Sequence, residues 1–197
     1  MRYLGIFIGA IVLVTGIYVA GVYLNLYGEL EEPGASVDSE LPRELVQSKL
    51  KAQEPFGKTK QILFGDTHVH TTYSTDAFFW SLPIMNGEGP HPISDACDFA
   101  RFCANLDFWV STDHAEALTP RKWKSIKEAV RSCNEPTDAQ EPDLVTFLGY
   151  EWTQVGTDAE SHYGHKNVMF LDIDEDKTPK RAIGAGGVAT NGMRNTL

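Results

Sequence analysis

Ile62-Leu63-Phe64-Gly65-Asp66-Thr67-His68-Val69-His70 is the stretch whose reading decides the fold. An apolar lead-in runs into an alternating segment that suits a strand, and strand alternation sends Asp66, His68 and His70 to one face. Two imidazoles at i and i+2 can converge on one cation at about 2.0–2.1 Å per bond. Taken alone, such a pair more often faces solvent than ligates a metal, so its weight depends on what surrounds it.

Outward from it, strands and helices alternate. Ile93 to Asn105 reads as a helix with Ser94 as N-cap and Ile93, Cys97, Ala100 and Ala104 on one face. Asp107-Phe108-Trp109-Val110-Ser111-Thr112 is a short buried strand. Thr119-Pro120 supplies an N-cap followed by proline at the first helical position, and Trp123, Ile126, Val130 and Cys133 give the next helix its apolar stripe, with Pro136 past its end. Leu144 to Leu148 and Val168 to Leu171 are two further strands. This alternation predicts an α/β fold of parallel β/α units. Active sites of β/α barrels sit at the C-terminal ends of the strands.

Polar residues gather at those ends. Thr112-Asp113-His114 follows one buried strand; Asp113 reads either as an orienting partner for a neighbouring ligand or as an ordinary loop carboxylate. Gly149-Tyr150-Glu151-Trp152 follows another, and a carboxylate there is costly unless paired or bound to a cation. Gly164-His165-Lys166-Asn167 opens the last strand, with His162 a second choice further from it. Each signal is weak by itself. Four of the six histidines nevertheless fall at the ends of consecutive elements, which chance explains poorly.

The chain divides into residues 1–28, a transmembrane anchor or signal segment; 29–60, a linker; and 61–197, the β/α domain. No charged residue occurs from Tyr3 to Gly28, long enough to cross a ~30 Å hydrocarbon layer. Tyr3, Tyr23 and Tyr27 lie near its ends. Val19-Ala20-Gly21 is a passable cleavage site, but the apolar run continues through Val22, Leu24 and Leu26, which favours an uncleaved anchor. Arg2 before the span and Glu29, Glu31 and Glu32 after it place the domain on the exported side, periplasmic or extracellular. In the linker, Pro33, Gly34, Pro42, Pro55 and Gly57 read as a tether, with a short helix around Arg43 to Lys51.

Composition is that of a globular protein with a core: 42% hydrophobic and 22% charged residues. A net charge of −10 argues against a nucleic-acid partner. It leaves an anionic substrate open, since bound cations reverse the field inside a site. Cys97, Cys103 and Cys133 are too few for a disulfide framework, and all three read as small core residues.

The order of these motifs resembles the PHP superfamily, named for polymerase and histidinol phosphatase. Its opening pattern HxHTxxSxD is matched by His68-Val69-His70-Thr71-Thr72-Tyr73-Ser74-Thr75-Asp76, followed by Thr112-Asp113-His114, Gly149-Tyr150-Glu151 and His165. Leu106 to Glu116 and His162 to Val168 are similar to a PHP-like family catalogued as a domain of unknown function, DUF3604. The likeness covers roughly Phe64 to Leu171.

That resemblance implies a distorted β/α barrel holding two or three divalent metal ions; manganese, zinc or iron suit such ligands. His68 and His70 would hold the first metal, Glu151 would bridge the first and second, His165 would bind the second, and Asp76 with His114 the third. Asp66 is either a further ligand or a supporting group. It also implies a metal-dependent hydrolase acting on a small-molecule or phosphoester substrate, with hydroxide held between two metals as nucleophile. The alternatives are hydrolysis of another ester or an amide, and a non-catalytic metal-binding domain displayed at the membrane. Such barrels take later ligands and more strands than are visible here, so the sequence reads as the N-terminal, partial barrel. Asp172-Ile173-Asp174-Glu175-Asp176 imitates a calcium loop but lacks its glycine and closing Glu, and Gly184-Ala185-Gly186-Gly187 lacks a phosphate loop's ending. Both read as flexible surface.

Overall fold

A computed structural model describes residues 2–23, 34–56, 61–87, 89–135, 142–154, 156 and 158–184. Tyr27, Gly28, Glu29, Glu31, Glu32, Pro33, Gly57, Lys60, Pro136 and 185–187, all used above, lie outside the described residues, as do the side chains of Arg2 and Tyr23. The chain forms two compact units, 1–31 and 32–197.

The first unit is one helix, α1 (Arg2–Tyr23), of 22 residues. At 1.5 Å per residue it is about 33 Å long. Its stretch Tyr3–Ala20 is long and apolar enough to cross a membrane, a test that a signal sequence passes equally.

The second unit is mixed α/β, built on a curled, half-barrel sheet in the order β1-β2-β3-β4. The strands are β1 (Gly65–Val69), β2 (Phe108–Ser111), β3 (Val145–Gln154) and β4 (Gly164–Phe170). The helices are α2 (Arg43–Gln53), α3 (Thr75–Ser81), α4 (Ile93–Asp98) and α5 (Pro120–Asn134). β1, β2 and β3 are parallel, as β/α units require. β4 departs from that expectation, lying antiparallel to β3 with Glu151 opposite Asn167 and Thr153 opposite His165. A short connection suffices for such a hairpin, whereas a parallel return needs a crossover of a dozen or more residues.

β3 is twice the expected length and carries Glu151 inside it rather than at its end. Its first half pairs with β2 and its second with β4. Gly149 sits at the change of partner, where a Cβ would meet Val168 O at 2.6 Å, Val110 Cγ1 at 2.8 Å and Ser111 O at 2.9 Å. Only a residue without a side chain passes there.

α5 matches its reading closely. Thr119 Oγ1 accepts from Lys122 N, proline follows, and Trp123, Ile126, Val130 and Cys133 are buried against Leu144, Leu148 and Tyr150. α4 does not. Pro92, not Ser94, occupies its N-cap, and the helix runs on as one π turn over Phe99–Cys103. The wider turn shifts the phase of the buried face. Ile93, Cys97 and Ala100 stay buried, Ala104 is exposed, and Arg101 turns inward onto Asp143, with Nε at 3.0 Å and Nη2 at 2.7 Å from Oδ2.

The cysteines also differ from expectation. Cys97 and Cys133, both buried, form a disulfide between α4 and α5 with Cα atoms 6.1 Å apart, and Cys103 is exposed. Nothing in local spacing reveals a pairing across 36 residues. Nor is the linker only a tether. Lys49 Nζ donates to Leu106 O and Asp143 O, each at 2.7 Å, just before β2 and β3, and pairs with Asp107. Val37 N donates to Asp98 Oδ1 at 3.0 Å. The stretch 34–56 is therefore docked on the domain in part.

The acidic run 172–176 is pinned, not free. Arg131 donates to Ile173 O at 2.8 Å, Arg131 and Lys127 pair with Glu175, and Lys177 pairs with Asp172 and Asp174. The Lys177 hydrogen bond holds the Asp174 carboxyl below its usual range, and those from Lys127 and Arg131 do the same for Glu175. Carboxyls depressed by folding contribute stability above their unfolded pKa and lose it as pH falls through the lower folded value. Hydrogen exchange at 172–178, corrected for intrinsic rates, should therefore rise on acidification from pH 7 to about pH 3, below the ordinary carboxylate range. Lys177→Ala should show faster exchange already at pH 7. Exchange independent of pH would contradict this pinning.

Candidate metal centre

The centre is assembled by the sheet. β1 delivers His68, and His70 lies one residue past its end. Thr112, following β2, locks that end: its N–H donates to Val69 O at 2.9 Å and its Oγ1 accepts from Val69 N at 2.8 Å. His114 forms an isolated parallel bridge with Glu151, whose N–H donates to Asp113 O at 3.0 Å. β4 delivers His165 beside Thr153. Asp76, in the first turn of α3, closes the ring.

At the middle stands Glu151, with only 1% of its side chain exposed. Its Oε2 lies 2.9 Å from His70 Nε2, 3.3 Å from His68 Nε2 and 3.6 Å from His114 Nδ1. Its Oε1 is pressed against His165 Nδ1 but has no hydrogen bond of sound geometry. Asp76 reaches His114 Nε2 at 3.4 Å and His70 Nδ1 at 3.8 Å. Although partial burial opposes it, the Ala77 N–H and the nearby His114 and His70 hold the Asp76 carboxyl below its usual range. His68, Asp76 and His165 are each about half exposed, so the ring is closed on the Glu151 side and open to solvent opposite.

Three overlapping triads follow: His68, His70 and Glu151; His70, Asp76 and His114; and His114, Glu151 and His165. Within each, one ligand atom per residue lies within 4.8 Å of the others. All six residues expected to share a site are thus brought together. The triads overlap more than the expected grouping, with His70 and His114 each belonging to two. Asp66 stays outside them; it is exposed, and its Oδ1 accepts from His68 N at 2.9 Å. His162 is exposed and also outside them. Asp172 and Asp174 are engaged by Lys177 instead.

The donor set fits a divalent cation. A buried carboxylate oxygen without a hydrogen bond is costly, and His68 Nε2 and His70 Nε2 face each other at 2.8 Å. Mixed imidazole and carboxylate ligands in threes suit manganese, iron or zinc.

Behind the ring lies a support that the sequence reading left open. Asp113 is fully buried and accepts from Thr71 N at 2.6 Å, Thr71 Oγ1 at 2.8 Å and Ser74 Oγ at 3.0 Å. Burial pushes its carboxyl up, against the pull of those three bonds. Thr153 Oγ1 lies 3.2 Å from both His114 Nδ1 and His165 Nδ1. Ser74 and Thr153 received no role from the sequence. Ser74 was at least marked by its place in the His68–Asp76 run; nothing local marks Thr153.

No curated protein and no solved structure matches this chain. Residues 57–122 match the model of a family described as "Protein of unknown function (DUF3604)". The matched stretch, about a third of the chain, holds Asp66, His68, His70, Asp76 and His114, while Glu151 and His165 lie beyond it. Over that stretch the chain is similar to this family.

Proposed function

We propose that the protein is a metal-dependent hydrolase, most closely suited to phosphoesters, and that its domain belongs to the PHP superfamily. The observation that carries this reading is the buried Glu151 carboxylate ringed by His68, His70, His114 and His165. His68, His70 and Glu151 would hold one cation, Glu151 and His165 a second, and Asp76 with His114 a third, giving two or three ions in all. When bound, such ions supply Lewis acidity and lower the pKa of water.

The chain's own residues do the rest. Glu151 neutralises charge at the centre, and its burial keeps the ligands on one side. The open side, between His68, Asp76 and His165, admits a substrate of modest size. Asp113, shut off from solvent, orders the loop that presents His70. A phosphate group would suit the site despite the chain's net charge of −10, because bound cations would reverse the local field.

A panel of chromogenic substrates tests the reading. Phosphomonoester or phosphodiester turnover should vanish with a chelator and return with manganese, zinc or iron. Cleavage confined to carboxylic esters or amides would overturn the phosphoester assignment.

We further propose that α1 anchors the protein and that the domain is exported. The apolar length of α1 supports anchoring, and the Cys97–Cys133 disulfide supports an oxidising compartment. An export-dependent reporter fused after Lys60 should be active and pellet with membranes. A silent reporter would overturn export, and activity released wholly into the soluble fraction would overturn anchoring.

A further inference from the structure

We propose that Ser74 is a positioning residue that fixes the tautomer of His70, leaving Nε2 as that ring's ligating atom; the inference rests on the metal-centre reading above. Ser74 occupies the N-cap position of α3, with φ −74° and ψ 138°, yet its side chain makes no capping hydrogen bond. A serine at that position ordinarily turns its hydroxyl to the free N–H groups of the first helical turn. A hydroxyl turned away from that role is engaged elsewhere. Here Oγ is fully buried, 3.0 Å from Asp113 Oδ1, 2.8 Å from the His114 backbone nitrogen and 3.0 Å from His70 Nδ1.

Counting protons assigns each contact. A hydroxyl has one proton to give and two lone pairs to receive. The His114 N–H can only donate, so it takes one lone pair. Asp113 Oδ1 already accepts the Thr71 N–H and, as a carboxylate oxygen, accepts the Ser74 proton too. One lone pair is left, and the group facing it is His70 Nδ1, which must donate. A neutral His70 protonated at Nδ1 carries its lone pair on Nε2. That atom lies 2.9 Å from Glu151 Oε2 and 2.8 Å from His68 Nε2. Lone pairs facing one another at such distances repel, and a shared cation removes the repulsion. The same hydroxyl ties the His70 loop to the backbone at His114, so two of the six converging side chains depend on it.

The test uses the full chain in detergent, with zinc as the probe. Long-range ¹⁵N–¹H correlation spectra of the histidine rings, with His70 assigned by its loss in His70→Gln, report which nitrogen carries the proton. His70 should show the Nδ1–H pattern in the zinc-loaded protein, and in the metal-free protein at a pH where the rings are neutral. Ser74→Ala should lose that preference and bind zinc about 10–100-fold more weakly in competition with a chromogenic chelator. An Nε2–H pattern in the unaltered protein would overturn the proposal. So would a Ser74→Ala protein with unchanged tautomer and zinc affinity. Should Ser74→Ala fail to fold, the spectrum of the unaltered protein decides alone. Failure of the unaltered protein to bind zinc would instead defeat the metal-centre reading, while the metal-free spectrum would still report on Ser74.

Discussion

Glu151→Gln is expected to weaken divalent-metal binding about 100-fold or more and to lower turnover of any phosphoester substrate about 10²–10³-fold. Glutamine keeps the shape of the side chain and removes its charge. Glu151 belongs to two of the three triads, and its side chain is 1% exposed, so water cannot replace the lost ligand easily. Thermal or urea unfolding gives a second readout. A metal present at 100 times its dissociation constant stabilises the native state by about 2.7 kcal/mol. After a 100-fold loss of affinity the same concentration stabilises by only about 0.4 kcal/mol. Equal stabilisation of both proteins by added metal would remove Glu151 from the centre.

Loss of the Cys97–Cys133 disulfide is the second large effect expected. Closing a loop of 36 residues removes enough freedom from the unfolded chain to stabilise the fold by about 3–4 kcal/mol. That is a sizeable share of a typical domain's 5–15 kcal/mol. Replacing both cysteines by alanine should lower the urea midpoint accordingly, and reductant should do the same to the unaltered protein. Thiol counting gives a direct check. Denatured, unreduced protein should label at Cys103 alone, and at all three cysteines after reduction. Three reactive thiols without reductant would contradict the disulfide.

Local chemistry explains what the sequence made legible. α5 was readable because its cap, its proline and its apolar stripe are all encoded within fifteen residues of one another. β2 was readable as a short apolar run, and α2 from its flanking breakers. The ligand-type residues stood out because they follow apolar runs where a solvent-facing surface needs no such clustering. What stayed hidden depends on partners distant in the chain. The length of β3 comes from its exchange of β2 for β4 at Gly149, and the direction of β4 from the hairpin that exchange permits. The π turn at Phe99–Cys103 goes with Arg101 reaching Asp143, 42 residues away, and the disulfide with the approach of two helices. In the site, Ser74 is one more residue of the His68–Asp76 run until Asp113 and His114 are seen on either side of it. Thr153 gains meaning only when two histidine rings are found against it.

In the proposed function the six converging side chains form a metal centre. Elemental analysis of the purified protein, alongside Glu151→Gln, tests it most directly. Two or three manganese, iron or zinc ions per chain in the unaltered protein, with at least one lost on substitution, is the result expected. Protein that carries no bound transition metal after equilibration with each of these ions, or an unchanged content in Glu151→Gln, would contradict it.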